Sequence, residues 1–101
     1  MELGQVSVNP KANIYFEGKC ISHTVTDVNG KRKSIGVILP STLRFDLSTS
    51  EIMEMVSGVA YVSINGEKEK TYQEGQQWEV GAGGYFVIRA LEPVHYICHF
   101  E

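Results

Sequence analysis

The sequence lacks the features of a nucleic-acid-binding, membrane-spanning or secreted protein. Its nine Lys and Arg are outnumbered by twelve Asp and Glu, for a net charge of −3, so nothing supplies affinity for a phosphate backbone. No apolar run approaches the ~20 residues of a membrane span. The opening Met1-Glu-Leu-Gly-Gln-Val6 lacks the charged and apolar regions of a signal peptide. We therefore expect a cytoplasmic protein without nucleic-acid or membrane partners.

Cysteine and histidine are also scarce. Two Cys and three His occur in 101 residues, and they form neither a CxxC motif nor a set with metal-ligand spacing. In the cytoplasm the two thiols stay reduced. Cys98 lies in the apolar run Tyr96–Phe100, which favours a small buried side chain over a nucleophile. We expect no metal site and no cofactor.

No stretch of the chain keeps a helical period, and what remains is a pattern of short strands and turns. Asn29-Gly30 and Asn65-Gly66 are strong hairpin signals, because both residue types tolerate a positive φ. Residues 43–47 alternate apolar and polar side chains, as a half-buried strand does. The pattern predicts a single all-β domain, a sandwich or barrel, over residues 13–101 after a loose leader at 1–12.

The phase of the alternation predicts which side chains face inward. The predicted inward set contains Phe45, Met53, Phe86, Tyr96 and one carboxylate, Glu51. An unpaired carboxylate among apolar side chains is costly, so Glu51 must find donors, bind a ligand or take up a proton.

Two segments resemble the signature stretches of a cupin: Glu51-Ile-Met-Glu-Met-Val-Ser-Gly58 and Gly75–Phe86. The resemblance implies a cupin-type (RmlC-like) double-stranded β-helix, also called a jelly-roll barrel. Metal-binding cupins place two His before the Glu and one after the second Gly-rich turn. Here those places fall on Phe45, Leu47 and Phe86, so a metal-dependent oxygenase is nearly excluded.

A closer resemblance covers residues 13–101. Four motifs are similar, in order and spacing, to those of the small bacterial pyrimidine/purine nucleoside phosphorylases (PpnP). The motifs are Asn13-Ile-Tyr-Phe-Glu-Gly-Lys19, Gly30-Lys-Arg-Lys-Ser-Ile-Gly-Val37, the Glu51–Gly58 segment and Tyr96-Ile-Cys-His-Phe100. The resemblance implies a metal-free cytoplasmic homodimer. It also implies a pentosyltransferase activity, in which nucleosides and inorganic phosphate give a free base and ribose 1-phosphate.

Phosphorolysis requires groups for phosphate, ribose and the leaving base. We expect Glu51 to be the catalytic residue, the alternative being a structural carboxylate bonded to strand-end amides. Arg32 and Lys19 are candidate phosphate ligands, although a charged hairpin tip explains Arg32 as well. The candidate substrate-binding residues, each also compatible with plain barrel core, are Phe45, Met53, Phe86 and Tyr96.

The competing function is a non-catalytic cupin that binds a small sugar- or nucleotide-like ligand without turnover. It differs from the enzyme only in the absence of phosphate-dependent product release. For the homodimer, the strand phase points Val59, Tyr61 and Val87 outward, and these residues could form an apolar contact surface.

Overall fold

A computed structural model describes residues 1–100, which form eleven strands and one short 3₁₀ turn at Phe16–Gly18. The strands are β1 (Ser7–Val8), β2 (Asn13–Tyr15), β3 (Cys20–Thr26), β4 (Arg32–Ile38), β5 (Ser41–Asp46), β6 (Glu51–Ser57), β7 (Ala60–Ile64), β8 (Lys70–Tyr72), β9 (Gln77–Val80), β10 (Tyr85–Ala90) and β11 (Val94–Phe100). Glu101, the last residue of the predicted domain, lies outside the described residues. No helix within residues 1–100 is long and apolar enough to cross a bilayer.

The strands form two antiparallel sheets. The seven-stranded sheet has the order β1-β3-β4-β11-β6-β9, with β2 also paired to β3, and the four-stranded sheet has the order β5-β10-β7-β8. The main hydrophobic cluster draws side chains from both sheets, among them Ile38, Met55, Val62 and Ile88. The predicted all-β jelly-roll architecture of the cupin type is therefore confirmed.

The Asn-Gly pairs turn the chain where the sequence predicts. Asp27 Oδ1 accepts hydrogen bonds from the backbone N–H of Asn29 at 2.9 Å and of Lys31 at 3.0 Å, which closes the β3–β4 turn. In the turn after β7, Asn65 and Gly66 both have positive φ, 50° and 78°. These turns fix the register of the strands that carry the cavity residues.

The first twelve residues contain a short strand, although the sequence suggested a loose leader. Ser7 and Val8 of β1 pair with Thr26 and Val25 of β3. Together with Met1, Leu3 and Val6, β1 borders an apolar groove of about 670 Å³ on the outer face of the seven-stranded sheet. Part of this segment is therefore ordered on the sheet, and the domain boundary at residue 13 stays a prediction.

Gly58, between β6 and β7, is confined by the neighbouring chain. Its φ is +93°, and a Cβ at this position would lie 2.5 Å from the carbonyl oxygen of Pro93. Gly75 has a similar φ of +85°, but no atom lies within 4 Å of its Cβ position. Substituting alanine at each glycine therefore distinguishes the free-energy cost of a left-handed backbone from that of a steric clash.

We expect Gly75→Ala to lower the free energy of unfolding by about 1 kcal/mol, because only the backbone conformation is strained. Gly58→Ala should cost about 1–3 kcal/mol more, because its Cβ also overlaps backbone. Urea denaturation at matched protein concentration measures both. Equal losses for the two variants would contradict the role assigned to the Pro93 contact.

Candidate active site

A cavity of about 210 Å³ opens between the two sheets. Five of the residues expected in the active site line it, namely Phe45, Glu51, Met53, Phe86 and Tyr96. They come from β5, β6, β10 and β11, so the fold brings together residues up to 51 positions apart in sequence. Their individual roles remain predictions.

The register of β11 and β6 explains this convergence. Cys98 pairs with Met53, and Phe100 pairs with Glu51. Side chains two apart on a strand share a face, so Tyr96, Cys98 and Phe100 point into the barrel together. The predicted inward phase is thus the one that lines the cavity.

Glu51 receives one hydrogen bond from a neighbouring strand. The Cys98 thiol donates to Glu51 Oε1 at 3.1 Å. Burial raises the pKa of the Glu51 carboxyl, and the thiol hydrogen bond opposes that shift. Among residues 1–100 no backbone amide donates to this carboxylate, which weakens the alternative of a carboxylate held by strand-end amides.

The Cys98 thiol is a donor because it stays protonated. Burial, and next the charge of Glu51, raise the pKa of Cys98. Cys98 is buried, as the apolar pattern predicted, but its contact with a carboxylate could not be read from that pattern.

Tyr96 lies deeper in the barrel against a second cysteine. Its hydroxyl and Cys20 Sγ are 3.4 Å apart, and either atom can donate. Burial raises the pKa of Tyr96, so the phenol remains neutral. A Cβ on Gly36 would lie 2.7 Å from the Tyr96 hydroxyl, so the glycine makes room for this ring.

One wall of the cavity is aromatic. The rings of Phe45 and Phe86 stack at a centroid distance of 5.0 Å with 19° between their planes. Phe16 meets Phe45 edge-on at 5.2 Å, and Trp78 meets Phe86 edge-on at 5.6 Å. Flat apolar surface of this kind suits the face of a heterocyclic base.

The candidate phosphate ligands lie outside the cavity lining. Arg32 and Lys19 are exposed, and within residues 1–100 no Lys, Arg or His side chain lines the cavity. Arg32 nevertheless shares a strand face with Ser34, which does line it. Lys19 lies between the 3₁₀ turn and β3, next to Cys20, and is not among the lining residues.

The other arginines have partners on the outer surface, as their strand phase predicts. Arg44 bonds Asp46 at 3.0 Å, and its guanidinium lies 3.9 Å from the Tyr85 ring centre. Arg89 bonds Glu69 at 2.9 Å. These cations are held outside the barrel, so neither contributes to the cavity.

Four polar cavity residues escaped the sequence analysis. Asn13, Ser22, Thr24 and Ser34 line the side opposite the aromatic wall. Asn13 stands in the first family-like motif and Ser34 in the second, which was the available signal. Ser and Thr also fit the exposed face of a strand, so their inward direction needed the structure.

The positions that hold metal in other cupins carry apolar side chains. Leu47 and Phe86 are buried, and Phe45 packs against the same core. Residues 1–100 bring no three His, Cys, Asp or Glu side chains into a cluster that could hold a metal ion.

Comparison with known proteins agrees with this geometry. The model of the family described as pyrimidine/purine nucleoside phosphorylase matches residues 10–100. The chain belongs to this family. A pyrimidine/purine nucleoside phosphorylase of Thiobacillus denitrificans is 53% identical over 97 residues, which cover 94% of this chain and 93% of the relative. One of Dechloromonas aromatica is 52% identical with the same coverage.

Solved structures share the fold over nearly the whole chain. A protein of unknown function from Acinetobacter has a TM-score of 0.96 and 37% identity, covering 99% of this chain and 98% of its own. One from Vibrio parahaemolyticus has a TM-score of 0.83 and 30% identity, covering 92% and 97%. This likeness agrees with the two-sheeted barrel.

We expect Cys98→Ala to raise the pKa of Glu51, because the variant removes a donor to the ionised carboxylate and leaves its burial in place. Cys98→Ser keeps a hydroxyl donor and should stay close to the parent. A ¹³C-detected NMR titration of the Glu51 carboxyl measures all three proteins. An unchanged or lower pKa in the alanine variant would show that the thiol does not stabilise the charge.

Proposed function

We propose that this protein is a nucleoside phosphorylase that cleaves purine and pyrimidine nucleosides with inorganic phosphate. The observation that carries the proposal is a half-buried carboxylate, Glu51, beside a stacked aromatic wall in a chain of the nucleoside phosphorylase family. The products are the free base and ribose 1-phosphate, and phosphate is the only co-substrate that the reaction requires.

In the reaction a phosphate oxygen forms a bond to the anomeric carbon as the bond from that carbon to the base nitrogen breaks. The base leaves with the bonding electrons and takes up a proton. The sugar passes through an oxocarbenium-like state, which nearby carboxylates stabilise in glycoside cleavage. Glu51 can supply the proton or accept a ribose hydroxyl, and its raised pKa increases the protonated fraction near neutrality.

The register supports Arg32 as the phosphate ligand. Lys33 pairs with His99, which places Arg32 beside Phe100 on the same ladder, and Phe100 pairs with Glu51. Arg32 and Glu51 are thus two strand spacings apart, about 10 Å between backbones. An arginine that reaches over the cavity from this position can bind phosphate through a bidentate fork. Lys19 is the second candidate phosphate ligand. It lies outside the strands, so no strand pairing relates its position to Glu51.

A phosphorolysis assay with uridine, inosine and adenosine tests the proposal. We expect base release that depends on phosphate, and Glu51→Gln should lower kcat by about 100-fold or more. Arg32→Ala should raise the KM for phosphate about tenfold with a smaller effect on the KM for the nucleoside. Lys19→Ala measures the contribution of the second candidate.

Arg44→Ala is the matched control for loss of an arginine, because Arg44 is bound to Asp46 on the outer surface and should leave the kinetics unchanged. Full activity in the Glu51 variant would remove this residue from the mechanism. An unchanged KM for phosphate in the Arg32 variant would place the phosphate elsewhere.

The second candidate function is binding of a small sugar- or nucleotide-like ligand without turnover. It is favoured by one observation: within residues 1–100 no cationic side chain lines the cavity that would have to receive phosphate. Under this alternative, nucleoside binds and no base is released at any phosphate concentration.

We also propose a cytoplasmic homodimer that pairs through the outer face of the seven-stranded sheet. Ile14 is 65% exposed and pairs with Ile21, which is 38% exposed and pairs with Val37. Leu39 is exposed at the end of β4. Contiguous exposed apolar surface of this kind marks an interface.

The surface expected from the sequence is less suitable. Val59, Tyr61 and Val87 are half-buried, and the Arg89 guanidinium lies 4.4 Å from the centre of the Tyr61 ring. Because the Arg89 guanidinium covers the Tyr61 ring, these three residues expose less apolar surface than their outward phase suggests.

Sedimentation at micromolar concentration should show a dimer, and Ile21→Asp should shift it to monomer because a charge would be buried at the contact. Val28→Asp is the matched control, since Val28 is an exposed apolar residue at the β3–β4 turn. A monomeric parent protein would exclude the dimer, and a dimeric Ile21 variant would place the interface elsewhere.

A further inference from the structure

The wall of the cavity opposite the aromatic rings is a patch of neutral polar groups. Thr24 pairs with Ser34 across β3 and β4, and Ser22 lies two residues from Thr24 on the same face. On the other side of β3, Asn13 pairs with Ser22. We call these four residues, Asn13, Ser22, Thr24 and Ser34, the hydroxyl wall.

Two serines of the hydroxyl wall are buried in the barrel interior. Ser22 and Ser34 are 3% and 8% exposed, and within residues 1–100 they are the only buried side chains outside the aliphatic, aromatic, methionine and cysteine residues. Both line the cavity. Burying a hydroxyl costs free energy that an apolar side chain would not, so a barrel selected for stability alone would have apolar side chains here.

Asn13 orders two of the three hydroxyls, those of Ser22 and Thr24. Its amide Nδ2 donates to Thr24 Oγ1 at 3.3 Å and to Ser22 Oγ at 3.4 Å. The Thr24 hydroxyl therefore accepts a hydrogen bond, and among residues 1–100 it donates none in return. Its own proton is available to an oxygen atom in the cavity.

We propose that the hydroxyl wall binds the hydroxyl groups of the pentose, while the base lies against Phe45 and Phe86. Sugar hydroxyls both donate and accept, as do the hydroxyls of Ser22, Thr24 and Ser34. This inference rests on the proposed function for the identity of the ligand, and it adds the side chains that recognise its sugar.

The chemistry of the wall favours a neutral sugar over phosphate. The wall carries no charge, and the titratable groups that line the cavity with it are the acids Glu51, Tyr15, Tyr96 and Cys98. A phosphate anion here would face the Glu51 carboxylate without a cation among the lining residues. Under this proposal the nucleoside occupies the cavity, and phosphate arrives from the rim near Arg32.

The test compares two ligands in the absence of phosphate, so that no turnover is required. Uridine carries base and sugar, and 1-methyluracil keeps the base and replaces the sugar with a methyl group. We expect Thr24→Val and Ser34→Ala each to raise the Kd for uridine about tenfold, the effect of losing one or two hydrogen bonds. The Kd for 1-methyluracil should stay the same. NMR titration measures both constants and reports the fold of each variant.

Thr42→Val is the matched control for Thr24→Val, because Thr42 is an exposed threonine on β5. It should change neither constant. The hydroxyl wall would be rejected as a sugar site if both ligands weakened equally, if neither weakened, or if the parent protein failed to bind uridine. The two proposals can fail separately. If the wall variants lose affinity for uridine alone but the parent protein shows no phosphorolysis, the hydroxyl wall is supported as a sugar site and the proposed enzymatic activity is rejected.

Discussion

The register of β11 between β4 and β6 is the constraint on which the candidate site depends. It sets Cys98 opposite Met53 and Phe100 opposite Glu51, so that one face of three strands lines one cavity. A slip of one residue would turn the Cys98 thiol outward and leave the Glu51 carboxylate without its donor. The closed two-sheet architecture makes such a slip costly, because it would also expose the apolar core residues of β11.

The cavity combines acidic groups that resist ionisation with uncharged hydroxyl and amide groups. Burial raises the pKa values of Glu51, Tyr96 and Cys98, so this interior disfavours negative charge. Arg32 lies outside the cavity lining, on the strand face that it shares with Ser34.

Much of the site was predictable because alternation along a strand has a period of two. The phase alone placed Glu51, Met53 and Phe86 on the inside, and the structure finds them around one cavity. Cys98 was predicted to be buried, but its hydrogen bond was not, because cross-strand neighbours depend on register. Polar residues such as Ser22 have no preferred face, so their burial could not be read from the pattern.

The sequence by itself determined the all-β class, the hairpin turns, the inward phase and the family resemblance. These follow from local chemistry: Asn-Gly turns, strand periodicity and short motifs act within a few residues. The tertiary structure alone decided which inward residues meet, that Arg32 and Lys19 stay off the cavity lining, and that the exposed Ile14 and Ile21 pair on the seven-stranded sheet. These outcomes depend on pairings between distant strands, and no local pattern specifies which strands become neighbours.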